Sequence, residues 1–245
     1  YLNLLKMFRS VSPDVMIPVM SHEALYAAYT CRRAGSQCRI IYPVHEEGIW
    51  LFQSVEDSRG IIDAVVSVNR LALLYLAGKM AWDSSRLIHI RVPVTQAELS
   101  STAVMQGRPL NIGLCGYLDQ DHKRVMDLVG FSKALSELDI GHTITVAGDG
   151  PLRSELFEAM GTLPSGVEVI DLGWVEKSRL YEEFYRNIDM LFLPSDCETG
   201  PITAWEAMSN RVLLVTSAYR GLSAKQLLVD QQTAIVFPVG DVRTA

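Results

Sequence analysis

The chain has 245 residues, 49% of them hydrophobic, and a net charge of −6. That is enough for one large domain or two smaller ones around a substantial core, and the lack of any 18-residue apolar run excludes a membrane-spanning helix. Residues 1–110 hold 11 Lys/Arg against 9 Asp/Glu, whereas residues 111–245 hold 11 against 19; the acidic half argues against general nucleic-acid binding.

Two α/β blocks follow one another. In the first, residues 14–19 read as a strand entered through Pro13, and Ser21 caps a helix that Gly35 ends near residue 34. Residues 38–42 form the next strand, and 43–53 a loop carrying His45, Glu46, Glu47 and Gly48. A strand over 62–68, a helix over 71–81 and a short strand over 87–92 complete the block. Residues 93–109 break the periodicity with Ser, Thr, Gly and Pro and read as a connection.

The second block alternates more regularly. Strands are expected over 111–115, 143–147, 167–170, 190–193, 212–215 and 234–237. Between them lie helices over 123–138, 151–160 with Pro151 in the first turn, 178–186 with Ser178 as N-cap, 202–208, and a short one near 223–229. Strands alternating with helices imply a parallel sheet in each block. The expected division is a first domain over 1–94, a linker over 95–110 and a second domain over 111–245.

The segment 187–210 is the most informative. A short apolar strand, Met190 to Leu193, ends at Pro194, and a polar loop with Gly200 and Pro201 leads into a helix. Glu198 in the loop and Glu206 in the helix bracket that turn. Ligands of open α/β sheets sit beyond the carboxyl ends of the strands, so a carboxylate, loop amides and a helix start converge there.

This segment resembles the E-x7-E signature of retaining glycosyltransferases of the GT-B fold, most closely family 4. Further landmarks follow that family's C-terminal domain in order: Gly116-Tyr117-Leu118-Asp119, Gly148-Asp149-Gly150-Pro151, Leu172-Gly173-Trp174-Val175 and Pro238-Val239-Gly240-Asp241. In the first block, Arg33-Ala34-Gly35, Pro43-Val44-His45-Glu46 and Arg91-Val92-Pro93-Val94 resemble the later part of the acceptor-side domain. The family's opening strand, glycine-rich loop and final helices have no counterpart, so the chain is expected to be truncated at both ends or unusually short.

The resemblance implies two Rossmann-like domains with the active site in the cleft between them. It implies that Glu206 accepts hydrogen bonds from ribose hydroxyls and that Glu198 contacts hydroxyls of the donor sugar. Amides around Thr199, Gly200, Ile202 and Thr203 would meet sugar and phosphates at a helix N-terminus; Pro201 supplies none. Lys123, with Arg124 sharing the role, would stabilise the departing diphosphate. Tyr117 stands where the family has an arginine. Gly173 and Trp174 lie where relatives hold the base, Trp174 either stacking on it or packing. Gly148 and Gly150 serve either a close approach to ligand or an ordinary strand–turn–helix joint. His45 would contact donor or acceptor, with Glu46 and Glu47 weaker candidates.

Asp119-Gln120-Asp121 spells D-x-D, read here as a loop acid pair rather than a metal site. No His/Cys cluster has zinc spacing. Cys31, Cys38, Cys115 and Cys197 show no C-x-x-C spacing, and no signal-peptide pattern opens the chain. The expectation is a cytoplasmic, metal-independent, retaining glycosyltransferase without cofactor, using a nucleotide-diphosphate sugar as donor. Its acceptor is left open among sugar, lipid and small molecule, and the mildly basic first block suits either ordinary charge scatter or peripheral contact with an anionic membrane. The rivals are a non-catalytic module binding a nucleotide sugar or a partner, for which Tyr117 speaks, and a glycoside hydrolase using Glu198 and Glu206.

Overall fold

The computed structural model describes residues 2–45, 48–94, 108–222 and 228–245. Glu46, Glu47, residues 95–107 of the expected linker and residues 223–227 of the expected helix lie outside the described residues. The chain divides into two units, Tyr1–Val92 and Pro93–Ala245.

The first unit opens with a helix that the sequence reading did not include, α1 (Leu2–Val11). Phe8 is its contact with the core. Strand β1 is only Val15–Met16, shorter than the expected 14–19, because prolines at 13 and 18 bracket it. Helix α2 (His22–Arg33) starts as expected, the Ser21 hydroxyl accepting from the Ala24 N–H at 3.2 Å.

The loop expected over 43–53 is corrected on both sides. Strand β2 (Arg39–Val44) runs through Pro43, which is tolerated because β1 pairs with β2 only as far as Ile40. Helix α3 (Ile49–Asp57) follows, burying Leu51, Phe52 and Val55 on one face. Strand β3 (Ala64–Ser67), helix α4 (Arg70–Lys79) and strand β4 (Leu87–His89) complete the unit. The Asn69 side chain caps α4, accepting from the Leu71 N–H at 2.9 Å. The four strands are parallel in the order β1-β2-β3-β4, with Ile40, Tyr42, Val44 and Val65 in the core.

The second unit runs β5 (Leu110–Tyr117), α5 (Asp127–Glu137), β6 (His142–Asp149), α6 (Arg153–Met160), β7 (Glu168–Gly173) and α7 (Leu180–Glu183). It continues with β8 (Met190–Leu193), α8 (Ile202–Ser209), β9 (Leu213–Ser217) and β10 (Ile235–Phe237). All pairings are parallel, in the order β10-β9-β8-β5-β6-β7. Alternate residues of β8 enter separate cores. Met190 and Phe192 join Leu128 and Phe131 of α5 and Leu156 of α6, while Leu191 and Leu193 join Phe184, Ala204 and Ala207. The sheet is thus covered on both faces, which is why β8 is apolar at every position.

Two helix expectations of this unit change. The helix expected over 123–138 begins at Asp127, because the Asp119 carboxylate takes the N–H groups of His122 and Lys123 at 3.0 and 2.9 Å. Arg124, at φ 49°, cannot continue a right-handed helix. The helix expected over 178–186 shrinks to α7, and Ser178 does not cap it. The chain tightens after Phe184 into a 3₁₀ turn, Tyr185–Asn187.

Candidate functional site in the second unit

Because all six strands are parallel, the loops after β5, β6, β7 and β8 leave the same edge of the sheet. The strand order places β6 and β8 on opposite sides of β5, so the connections diverge there and open a crevice. It is lined by residues 114–118, Lys123, Val125 and residues 192–194. These are the ends of β5 and β8 and the loop that Asp119 shapes.

The loops after β5 and β8 are stitched together. The Asp196 N–H donates to the His122 carbonyl at 2.8 Å, and His122 Nδ1 lies 3.2 Å from the Cys197 sulfur. The Lys123 ammonium donates to Glu198 Oε1 at 2.7 Å, and the Ser195 hydroxyl donates to the same oxygen at 2.7 Å. The Glu198 side chain is 8% exposed. A carboxylate so enclosed must be paired, and a cation and a hydroxyl do this. From below, the Ser217 hydroxyl at the end of β9 donates to the Ser195 carbonyl.

Glu206 stands on α8, nearly buried, accepting from the Tyr185 hydroxyl at 2.9 Å. Cys115, in the crevice wall, is near enough to Glu206 and Lys123 for both charges to act on it. Enclosure pushes its thiol up to about 12, with Glu206 raising it further and Lys123 opposing, so it stays protonated at neutral pH. The structure therefore gathers Lys123, Glu198 and Glu206 around the end of β5.

Gly148 and Gly150 have a packing reason of their own. A Cβ on Gly148 would lie 2.0 Å from the Gly116 carbonyl oxygen, and one on Gly150 2.6 Å from the Leu118 backbone. The joint is tied by Leu118 N–H to Asp149 O at 3.0 Å and Leu152 N–H to Leu118 O at 3.1 Å. Gly173 ends β7 at φ 60°, and Trp174 beside it is 72% exposed. Arg124 is held by Asp127 through two nitrogens at 2.9 and 3.2 Å, which makes it a brace of the α5 start.

The N-cap residue of α8 is Pro201, which makes no side-chain cap hydrogen bond to the first-turn amides at Ile202 and Thr203. Thr199 and Gly200, in the loop before it, are half-buried. Tyr117 is exposed at the end of β5. His45 belongs to the first unit, exposed just past β2. Among the described residues, no three His, Cys, Asp or Glu side chains cluster as a metal ion needs, and no helix is long and apolar enough to cross a membrane.

Tyr185 and Ser195 are parts of this arrangement that the sequence reading missed. Ser195 lies inside the informative segment, three residues before Glu198, which was its only signal. Tyr185 carried none, since its hydroxyl meets Glu206 only through the turn after α7.

A family model described as Glycosyl transferases group 1 matches residues 109–245. Among solved structures, the apo form of the lipopolysaccharide outer core galactosyltransferase WaaB aligns with a TM-score of 0.73 at 18% identity, over 98% of this chain and 66% of that one. HepE of Anabaena, in complex with UDP and glucose, aligns with a TM-score of 0.74 at 12% identity, over 98% and 69%. The pneumococcal O-GlcNAc transferase GtfA, in complex with UDP and GlcNAc, gives 0.71 at 15% identity, over 97% and 49%. This chain thus spans 66% of the first structure's length and 49% of the third's. At such identities the likeness establishes the fold, α/β with two parallel sheets. No curated protein matches the sequence.

Proposed function

The chain belongs to the group 1 glycosyl transferases, and from that premise we propose that it transfers a sugar from a nucleotide-diphosphate sugar to an acceptor, with retention of anomeric configuration and without a metal ion. One observation carries the reading. Lys123 and Glu198 meet at 2.7 Å at the point where the strand order diverges, the place where open α/β sheets bind ligands.

In this reading Lys123 neutralises charge on the departing diphosphate, joined by the amides around Thr199, Gly200, Ile202 and Thr203. Glu198 holds donor-sugar hydroxyls, and Glu206 holds the ribose. Gly173 and Trp174 border the base, and the exposed indole is free to stack on it. Gly148 and Gly150 let the loops after β5 and β6 pack tightly enough to leave room for phosphate. Arg124 supports this loop through Asp127. His45 of the first unit contacts donor or acceptor. The leaving phosphate oxygen takes the acceptor proton on the face from which it departs. No enzyme carboxylate acts as nucleophile, which suits Glu198, whose Oε1 is already held by Lys123 and Ser195. We place the protein in the cytoplasm, with peripheral membrane contact through the first unit if its acceptor is a lipid.

The test is a thermal-shift panel of UDP, GDP, ADP and TDP and their common sugars, with and without EDTA, on wild type and Lys123→Met. The expected result is stabilisation by one nucleotide, unaffected by EDTA and lost in the variant. Proton NMR of the anomeric signal then reads retention in the product. No stabilisation by any member sinks the proposal. A second reading, a module that binds the donor without turnover, is favoured by Tyr117 at the family's arginine position. Binding without transfer, with turnover appearing in Tyr117→Arg, would select it.

A further inference from the structure

The two oxygens of the Glu206 carboxylate have different surroundings. Oε2 accepts from the Tyr185 hydroxyl at 2.9 Å. Oε1 has the Lys177 ammonium at 4.0 Å, and that lysine side chain is 73% exposed. One oxygen is therefore held from the protein interior, and the other faces an exposed surface cation. The Tyr185 hydroxyl also lies 3.4 Å from the Thr203 carbonyl, in the first turn of the same helix.

Tyr185 is itself fixed. It is buried, and its ring meets Phe184 edge-on, with centroids 5.1 Å apart. Phe184 and Ile188 close over Gly113 of β5, where a Cβ would come within 2.6 and 2.5 Å of them. A side chain at 113 would lift this turn and the phenol with it. Burial, with Cys115 and Glu206 adding to it, drives the phenol far above its ordinary pKa, so it remains a donor at neutral pH.

We infer that Tyr185 is a positioning residue for donor recognition: it clamps Oε2 of Glu206 and leaves Oε1 aimed at the ribose hydroxyls. The inference rests on the nucleotide-sugar reading of this site. Holding the carboxylate in its binding orientation before the ligand arrives removes an ordering cost from recognition. Without the phenol, Oε2 loses its interior donor and the carboxylate is no longer fixed in this orientation.

The test measures the ribose preference, the ratio of Kd for a 2′-deoxynucleoside diphosphate to Kd for its ribo form. UDP, GDP and ADP and their 2′-deoxy forms are the probes, titrated calorimetrically into wild type, Tyr185→Phe, Glu206→Gln and the double variant. Wild type should prefer the ribo form, and Tyr185→Phe should cut that preference about five- to tenfold. The double variant should be no worse than Glu206→Gln, since the tyrosine acts only through the glutamate. Glu206→Asp, which withdraws the carboxylate from the phenol by one methylene, must lose the preference as well. It also answers the question if Tyr185→Phe melts below the assay temperature.

A Tyr185→Phe protein, or in its place a Glu206→Asp protein, that keeps the ribose preference overturns the inference and leaves the functional reading standing. Wild type that binds no nucleoside diphosphate overturns both.

Discussion

Lys123 and Glu198, 75 residues apart in sequence, form an ion pair whose partners differ sharply in exposure: the lysine side chain is 30% exposed and the glutamate 8%. That asymmetry predicts unequal effects on stability. Lys123→Met leaves an enclosed carboxylate with only Ser195 as its donor among the described residues, whereas Glu198→Gln leaves an ammonium that can turn to water. The first is expected to cost about 1–3 kcal/mol, after discounting for the partly exposed lysine, and the second less. Urea denaturation of the two variants checks this. Equal losses would mean that the pair is as well solvated as an ordinary surface bridge.

Gly148 and Gly116 sit in register across β5 and β6, and no side chain fits at Gly148. Gly148→Ala must push two paired backbones apart, so a loss of at least about 3 kcal/mol is expected. Gly141, just before β6, has nothing within 4 Å of its Cβ position. Gly141→Ala should stay within about 0.5 kcal/mol of wild type. Thermal melts of the two variants compare the positions directly. A neutral Gly148→Ala would show that the crossing of these loops is looser than described.

The sequence was most legible where burial dictates residue type. Met190 to Leu193 reads as a buried strand and is one, and Ser21 before a helical pattern reads as a cap and is one. The site loops were legible as places, because chemistry in this architecture gathers at the carboxyl ends of strands. Their internal geometry was not. Asp119 read as half of an acid pair, yet its carboxylate is spent on the N–H groups of His122 and Lys123, which delays α5 by four residues. Nothing in local spacing reveals such a competition between side chain and helix. Tyr185 was hidden for a different reason. Its contact with Glu206 depends on Gly113 letting a distant turn close onto β5, and pairwise periodicity carries no record of that.

Tyr219 presents the opposite case, a buried polar atom without a partner. Its ring is 2% exposed, and its hydroxyl has no hydrogen-bond partner among the described residues. Burial, with the charge of Glu198 adding to it, pushes the phenol above its ordinary value, so it stays neutral. An unmade hydrogen bond costs the desolvation of the group and returns nothing. Tyr219→Phe is therefore expected to be neutral or to stabilise by up to about 1 kcal/mol, read as a rise in Tm. A loss of stability would reveal an ordered water or ligand group on that hydroxyl.

Asp189 makes the acid limb of the stability curve testable. It precedes β8 and accepts from Arg108 Nη1 at 2.7 Å and from the Asn111 N–H at 2.8 Å, tying the start of β5 to the start of β8. Burial alone would raise its pKa, but the Arg108 and Asn111 hydrogen bonds, with the arginine charge, outweigh it and hold the carboxyl below its ordinary value. A carboxylate depressed in the folded state releases its proton more readily there than in the unfolded chain. Its contribution is complete above the unfolded value of about 3.9 and is lost as pH falls through the folded one. Asp189→Asn should lower the urea midpoint at pH 7 and narrow the gap to wild type as pH falls below about 4. The two side chains are 30% and 37% exposed, so the effect at neutral pH is modest. A gap that stays constant with pH would assign the loss to the Asn111 contact and not to the charge.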